Sequence, residues 1–385
     1  MIVIKKISAK IILDSRKEKT IEVSIKTNAG NFSASSPTGK STGKFAKKIY
    51  IKSIEQDIKK LQEMSEYFSE ENFEIFSDLK KIEEICEKQV GANTIFALES
   101  AVLKSIAREQ KKQVWELINP KAKKIPVLIQ NIIGGGKHSD ISEKNKGPDF
   151  QEFLIISKNY EKNKKAYEEA KIILKKLDEK FKSEKNDENA WKTSLNEKLV
   201  LDVLTEIKQK FGVEIGIDIA ASSFYKRKKY HYLNPKLDRD SEEQSGYIFN
   251  LVKNLNLFYI EDCFHEEDFE NFAKLRKKFP EKLIVGDDLT VTNLKRFEKA
   301  IEKKSISGII VKPNQVGSLI EVAKVCDLAK KNKIKIIFSH RSGETEENIL
   351  ADLAFGFEGD FLKIGIIGKE RESKIKRLRE VLKKR

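Results

Sequence analysis

Residues 2 to 34 alternate apolar and polar positions, in MIVIKKISAKIIL and then TIEVSIKTNAGNFSAS with Gly30 at a turn. A period of two predicts an antiparallel meander. From about 53 to 110 the period lengthens to that of a helix, through IEQDIKKLQEM, LKKIEEICEK and TIFALESAVLKSIAREQ, the last apolar enough to be buried. Residues 1–122 therefore read as an α+β domain. Beyond Pro126, short apolar runs alternate with charged helical stretches: IPVLIQNI (125–132), EFLIIS (152–157), IGIDIA (215–220), LFYIE (257–261), LIVGD (283–287), GIIVK (308–312), KIIFS (335–339) and FLKI (361–364). Eight strands mostly separated by helices predict an α/β chain whose second domain, 123–385, is a closed (β/α)8 barrel. A doubly wound open sheet is the competing architecture, because periodicity does not report closure.

Composition changes this picture little. The 385 residues are 39% hydrophobic and 35% charged with both signs mixed, which excludes a disordered chain. The net charge of +15 comes from lysines spread over helix backs rather than from one block, so it reads as a solvated surface, and nucleic acid is not the expected partner. No apolar stretch reaches the roughly 18 residues of a membrane span, and the N-terminus lacks a secretory pattern, so a cytoplasmic protein is expected. Cys86, Cys263 and Cys326 are odd in number and far apart, which fits a reducing compartment.

The chemistry lies at the ends of the apolar runs. Asp218, Glu261, Asp287, Lys312, His340 and Lys363 fall on or beside the last residues of their strands, and from Glu261 onward the spacings are 26, 25, 28 and 23 residues. Each is about one β/α unit, and barrel enzymes carry their chemistry at the C-terminal strand ends, so these side chains converge on one mouth. Asp218, Glu261 and Asp287 form an oxygen-only set suited to a hard cation such as Mg²⁺. A lysine beside a metal and another cation can serve as a general base, which singles out Lys312.

These residues carry a resemblance that runs the length of the chain. The motifs are ILDSR (12–16), TIEV (20–23), TGKSTG (38–43), GANTIFALESA (91–101), NIIGGGKH (131–138), QEF (151–153), IGIDIAASSFY (215–225), IEDCF (260–264), VGDDLTVTN (285–293), VKPNQVGSL (311–319) and SHRSGETEENILADLAFG (339–356). Together they resemble the enolase family. The resemblance implies reversible Mg²⁺-dependent dehydration of 2-phosphoglycerate to phosphoenolpyruvate, with two Mg²⁺ per active site. It implies metal ligation by Asp218, Glu261 and Asp287, with Ser41 of the mobile TGKSTG lid on the second ion and against the substrate. Lys312 would be the base at C2, and Glu188 with Glu152 the acid side at C3. Arg341 and Ser342 would bind the phosphate and Lys363 the carboxylate, while His138, Gln151 and His340 line the pocket, His340 among the catalytic groups. It further implies a homo-oligomer, a dimer or larger, with Glu22 and Arg379 at positions that pair across the interface.

The chain departs from the family pattern in places. Lys17-Glu18-Lys19 replaces Gly-Asn-Pro, Cys263 replaces a proline, and the segment after Lys363 is one residue shorter. Around the acid, NDENAW (186–191) retains Asp187 and Glu188 but puts Asn189 and Ala190 where the family has glycines. A non-glycine residue reaches positive φ less readily, so the setting of Glu188 is the expectation most exposed to correction. Two alternatives differ in class: a sister acid-sugar dehydratase, which SHRSGET and TGKSTG disfavour, and an enolase-like scaffold that binds RNA or another polyanion through its surplus charge. A nucleotide-binding loop is disfavoured because GKST (39–42) lacks the earlier glycine.

Overall fold

The computed structural model describes residues 1–40, 43–86 and 88–383. The expected lid residue Ser41 and residues 384 and 385 lie outside them.

The meander forms as its alternation predicts. Strands β1 (Ile2–Leu13), β2 (Lys19–Thr27) and β3 (Gly30–Ser35) are antiparallel neighbours, with β4 (Asn72–Phe73) beyond β1. The same alternation turns Ile2, Ile4, Ile21, Val23 and Ile25 into the core. Three helices of eight or more residues follow, α1 (Ile54–Glu63), α2 (Leu79–Cys86) and α3 (Ala92–Glu109). The Ser53 hydroxyl accepts from the Gln56 N–H and starts α1. Helix α3 lies across β2 and β3 and is buried nearly all round, as its apolar sequence requires.

All eight apolar runs become barrel strands: β5 (Val127–Gly134), β6 (Glu152–Ser157), β7 (Glu214–Asp218), β8 (Tyr259–Glu261), β9 (Leu283–Gly286), β10 (Gly308–Val311), β11 (Lys335–Ser339) and β12 (Phe361–Lys363). Pairing of β12 with β5, Phe361 opposite Val127 and Lys363 opposite Ile129, closes the ring and excludes the open sheet. One feature departs from a uniform (β/α)8 repeat. Strand β6 runs antiparallel to both neighbours, because only a loop with a single short 3₁₀ turn (Gly136–Ser139) joins it to β5. A parallel return needs a crossover helix, and none is present there.

Period two decides which side chains enter the barrel. Its interior is packed by Ile129, Leu154, Ile156, Tyr259, Leu283, Val285, Ile310, Ile337 and Phe361, while a larger apolar layer fills the space between strands and outer helices. Side chains two positions further toward the mouth must also point inward. No helix among the described residues is long and apolar enough to cross a membrane.

Candidate active site

Two residues beyond Val285, Ile310 and Phe361 stand Asp287, Lys312 and Lys363, and two beyond Tyr259 stands Glu261. On antiparallel β6 the mouth is at the N-terminal end, so Glu152 occupies the equivalent place two before Leu154. Register sets three carboxylates in one row, since Glu152 lies opposite Asp218 and Asp218 opposite Glu261. The apolar interior layer thus aims these strand-end side chains into the mouth.

Lys363 anchors this row. Its Nζ is 2.6 Å from Glu261 Oε2, 3.0 Å from Asp218 Oδ2 and 3.1 Å from Glu152 Oε2. Tyr259 adds its hydroxyl to Glu261, and Gly216 makes room for it, since a Cβ there would stand 2.6 Å from the Tyr259 Cβ. Asp287 is held by Lys312, and Asp262 accepts from the backbone N–H groups of Asp287 (3.0 Å) and Asp288 (2.7 Å). The three expected metal ligands therefore do not close on one point: Asp218 and Glu261 meet at Lys363, and Asp287 groups tightly with Asp262 and Asp288. Lys363, expected on the substrate carboxylate, is shared among the protein's own.

Charge shows what the mouth can hold. Glu152, Glu188, Asp218, Glu261, Asp262, Asp287 and Asp288 outnumber the full cations Lys312, Arg341 and Lys363 that line the same mouth, which leaves an excess of negative charge. Burial, then the neighbouring Asp218, push Glu261 up to about 8 against the pull of Lys363. Burial and Asp287 likewise push Asp288 to about 7. Glu261 Oε1 and Asp287 Oδ1 are buried with no hydrogen-bond partner among the described residues. An oxygen-only donor set with orphaned oxygens and uncompensated charge fits Mg²⁺.

On the opposite side, His138, Glu152 and Glu188 cluster, all buried. His138 Nδ1 is 3.4 Å from Glu188 Oε1 and 3.9 Å from Glu152 Oε1, while His340 Nε2 is 3.7 Å from Glu188 Oε1. The Asn131 amide donates to Glu188 at 3.2 Å. Burial and the adjacent Glu188 hold Glu152 well above the ordinary carboxyl range. Burial also presses Glu188 upward, but His340, His138, Lys363 and Arg371 more than offset it, and Glu188 lies below that range. Their surroundings thus push the two carboxyls in opposite directions. Burial lowers His340 to about 3 against the pull of Glu188.

The altered loop is well supported. Asn189 takes φ +64, the left-handed conformation that asparagine tolerates better than most residues, so replacement of the glycine does not prevent it. Lys17, also where the family has glycine, takes φ +64 as well. Asn186 Oδ1 accepts from the N–H groups of Glu188 (3.0 Å) and Ala190 (2.9 Å), and the Asn189 amide donates to the Ile367 carbonyl at 3.1 Å. Gly365 touches the same loop, where a Cβ would be 2.8 Å from the Glu188 carbonyl. The shortened segment after Lys363 and the altered acid loop are therefore packed against one another.

Arg341 and Ser342 sit at the third side, buried. Asn314 Oδ1 accepts from Arg341 Nη1 at 3.0 Å, and Gly39 packs on the guanidinium so closely that a Cβ would be 1.8 Å from Nη2. Thr38 and Gly343 exchange backbone hydrogen bonds of 2.7 and 2.9 Å, which seats the segment before Ser41 on the barrel. Gln151 lines the mouth with its amide 3.4 Å from Asp218 Oδ2. Apart from Ser41, the expected side chains line one mouth among the described residues, with Asp218 and Glu261 in one group and Asp287 in another. Those missed from sequence, Asn131, Asp262, Asp288 and Asn314, orient or neighbour the expected ones. Asp262 and Asp288 directly follow expected strand ends or their acids, and only that adjacency could have marked them.

Comparison with known proteins agrees with this geometry. Residues 122–384 match the profile described as the C-terminal TIM barrel domain of enolase. The chain is 34% identical to the enolase of Sulfurisphaera tokodaii over 403 aligned positions, covering 98% of this chain and 95% of that one. It is 34% identical to the enolase of Saccharolobus solfataricus with the same coverage. Against the enolase of Pyrobaculum aerophilum it is 41% identical over 270 positions, 67% of this chain and 64% of that one. With the barrel, its ring of strand-end carboxylates and these relatives in agreement, the chain belongs to the enolase family of lyases.

Proposed function

We propose that this chain is a cytoplasmic phosphopyruvate hydratase that reversibly dehydrates 2-phosphoglycerate to phosphoenolpyruvate in glycolysis and gluconeogenesis, with two Mg²⁺ per site. The observation that carries the reading is topological. Lys312 follows β10 and Glu152 opens β6, four strands apart in a ring of eight, so base and acid face each other across the mouth. That arrangement suits removal of a proton from one face of C2 and hydroxide from the opposite face of C3.

Lys312 takes the C2 proton. Burial lowers its ammonium and Asp287 raises it, with Arg341 and Lys363 lowering it again; the net shift is upward while Asp287 is paired to it alone. An Asp287 engaged with another cation would pull less on that proton. Asp218, Glu261 and Asp287 would hold the metal, with Ser41 on the second ion, and when bound Mg²⁺ supplies the positive charge that the developing carboxylate dianion requires. Lys363 adds its own charge to the same end. The Glu152–Glu188 pair forms the acid side, and its separated proton affinities support Glu152 as the resting carrier that delivers a proton to the C3 oxygen, with Glu188 oriented by Asn131 and His138. Arg341 and Ser342 take the phosphate, the planar guanidinium matching its oxygens.

Assembly into a homodimer or larger oligomer belongs to this reading. It would exchange the pairs Glu22–Lys10 (2.8 Å) and Arg379–Glu161 (2.7 Å) for contacts between subunits. Absorbance at 240 nm with 2-phosphoglycerate tests the activity. Phosphoenolpyruvate should form, EDTA should abolish it, and Asp287→Asn should raise the Mg²⁺ requirement; turnover unaffected by EDTA would refute the reading.

A further inference from the structure

The segment that enters the mouth from the N-terminal domain carries Lys40, and its contacts cross the site. Its backbone N–H donates to Ser342 Oγ at 2.9 Å on the phosphate side. Its Nζ lies 2.7 Å from Asp140 Oδ1 and 3.2 Å from Asp187 Oδ2 on the acid side. Asp140 closes the 3₁₀ turn that bears His138, and Asp187 directly precedes Glu188. One ammonium therefore clamps the two loops that carry the His138–Glu188 contact. Asp187 Oδ2 is shut off from solvent, and Lys40 is the cation paired with it among the described residues. The Lys40 side chain is about one third exposed, so this is a partly shielded pair whose neighbour Gly39 packs closely on Arg341.

We propose that Lys40 is a positioning residue for the acid half of the reaction. By tying the loops of His138 and Glu188 to the phosphate-binding side, it makes hydroxide loss, and not proton abstraction, depend on where those loops stand. Lys312 is reached by none of these contacts and should keep its function without Lys40. The inference rests on the proposed dehydration.

The test is Lys40→Met, which keeps the length of the stem and removes the charge, with exchange of the C2 proton in deuterated buffer followed by NMR and dehydration followed at 240 nm. Exchange should stay within about twofold of wild type, while kcat for dehydration falls about tenfold and KM moves little, since a small misplacement of a reacting group is enough to cost this much. Lys40→Arg should recover most of the rate. Asp187→Asn should lose dehydration in the same direction as Lys40→Met, and the double variant should be no worse than Lys40→Met, because the pair between them cannot be lost twice. Equal losses in exchange and dehydration, an unchanged Lys40→Met, or additive losses in the double variant would each overturn the role of Lys40. A wild-type protein with neither exchange nor dehydration would instead overturn the function on which it rests.

Discussion

Lys363→Met isolates the charge balance of the mouth. The substitution leaves Glu261, Asp218 and Glu152 without the ammonium now 2.6, 3.0 and 3.1 Å from them, and all three are buried. Removing one partner of a buried charge pair costs about 3–5 kcal/mol. With unfolding entropy near 2 cal/mol/K per residue, a 385-residue chain converts 4 kcal/mol into about 5 °C of Tm. The carboxyls can escape by holding protons, and this gives the effect a sign in pH. An acid such as Glu261, raised from 4.5 unfolded to about 8 folded, binds more protons folded than unfolded within that window, so stability falls as pH rises through it. Loss of Lys363 raises such groups further and adds up to about 1.4 kcal/mol per pH unit for each one that must stay protonated. The Tm deficit measured by calorimetry in EDTA should therefore be smaller at pH 6 than at pH 9, since the wild-type Glu261 gives up its proton only as pH passes about 8 and the variant holds it longer. Mg²⁺ at pH 9 should narrow it, since a cation again faces the carboxylates. A deficit of the same size at both pH values, or none at pH 9, would refute this account of the mouth.

Lys312→Ala should abolish both C2 exchange and dehydration, whereas Glu188→Gln should retain exchange while dehydration falls by roughly 10² to 10⁴; wild-type dehydration in Glu188→Gln, with loss confined to Glu152→Gln, would assign the acid to Glu152 alone. Both Asn189→Ala and Asn189→Gly lose the hydrogen bond to the Ile367 carbonyl, and Asn189→Ala should cost about 1–2 kcal/mol more because alanine resists the left-handed conformation; equal melting temperatures for the two would remove backbone strain as the reason. Binding of mixed RNA, read by filter retention, should be weak and collapse between 50 and 200 mM salt as counterion release demands, and salt-resistant binding of one sequence would revive the scaffold alternative.

The sequence by itself carried the elements and the chemistry. Alternation of period two placed the meander, and eight apolar runs at β/α spacing placed the barrel strands. Because the same alternation governs both core and mouth, residues at the strand ends had to point where Leu154, Val285, Ile310 and Phe361 point. Candidate ligands and base were legible for that local reason, whereas Arg341 and Ser342 were expected from the family resemblance alone. Tertiary structure decided what depends on partners distant in the chain. Closure rests on β12 meeting β5 across more than two hundred residues, and the reversal of β6 rests on the absence of a crossover helix, which no strand pattern encodes. Lys363 shared among three carboxylates, Asn131 on Glu188 and Lys40 spanning Asp140 and Asp187 are likewise pairings between separate loops and strands. The loss of glycine at 189 suggested a disturbed acid loop, yet asparagine supplies the left-handed turn and the Ile367 carbonyl holds it. Propensity gave the expectation, and a hydrogen bond from a segment almost 180 residues away settled the outcome.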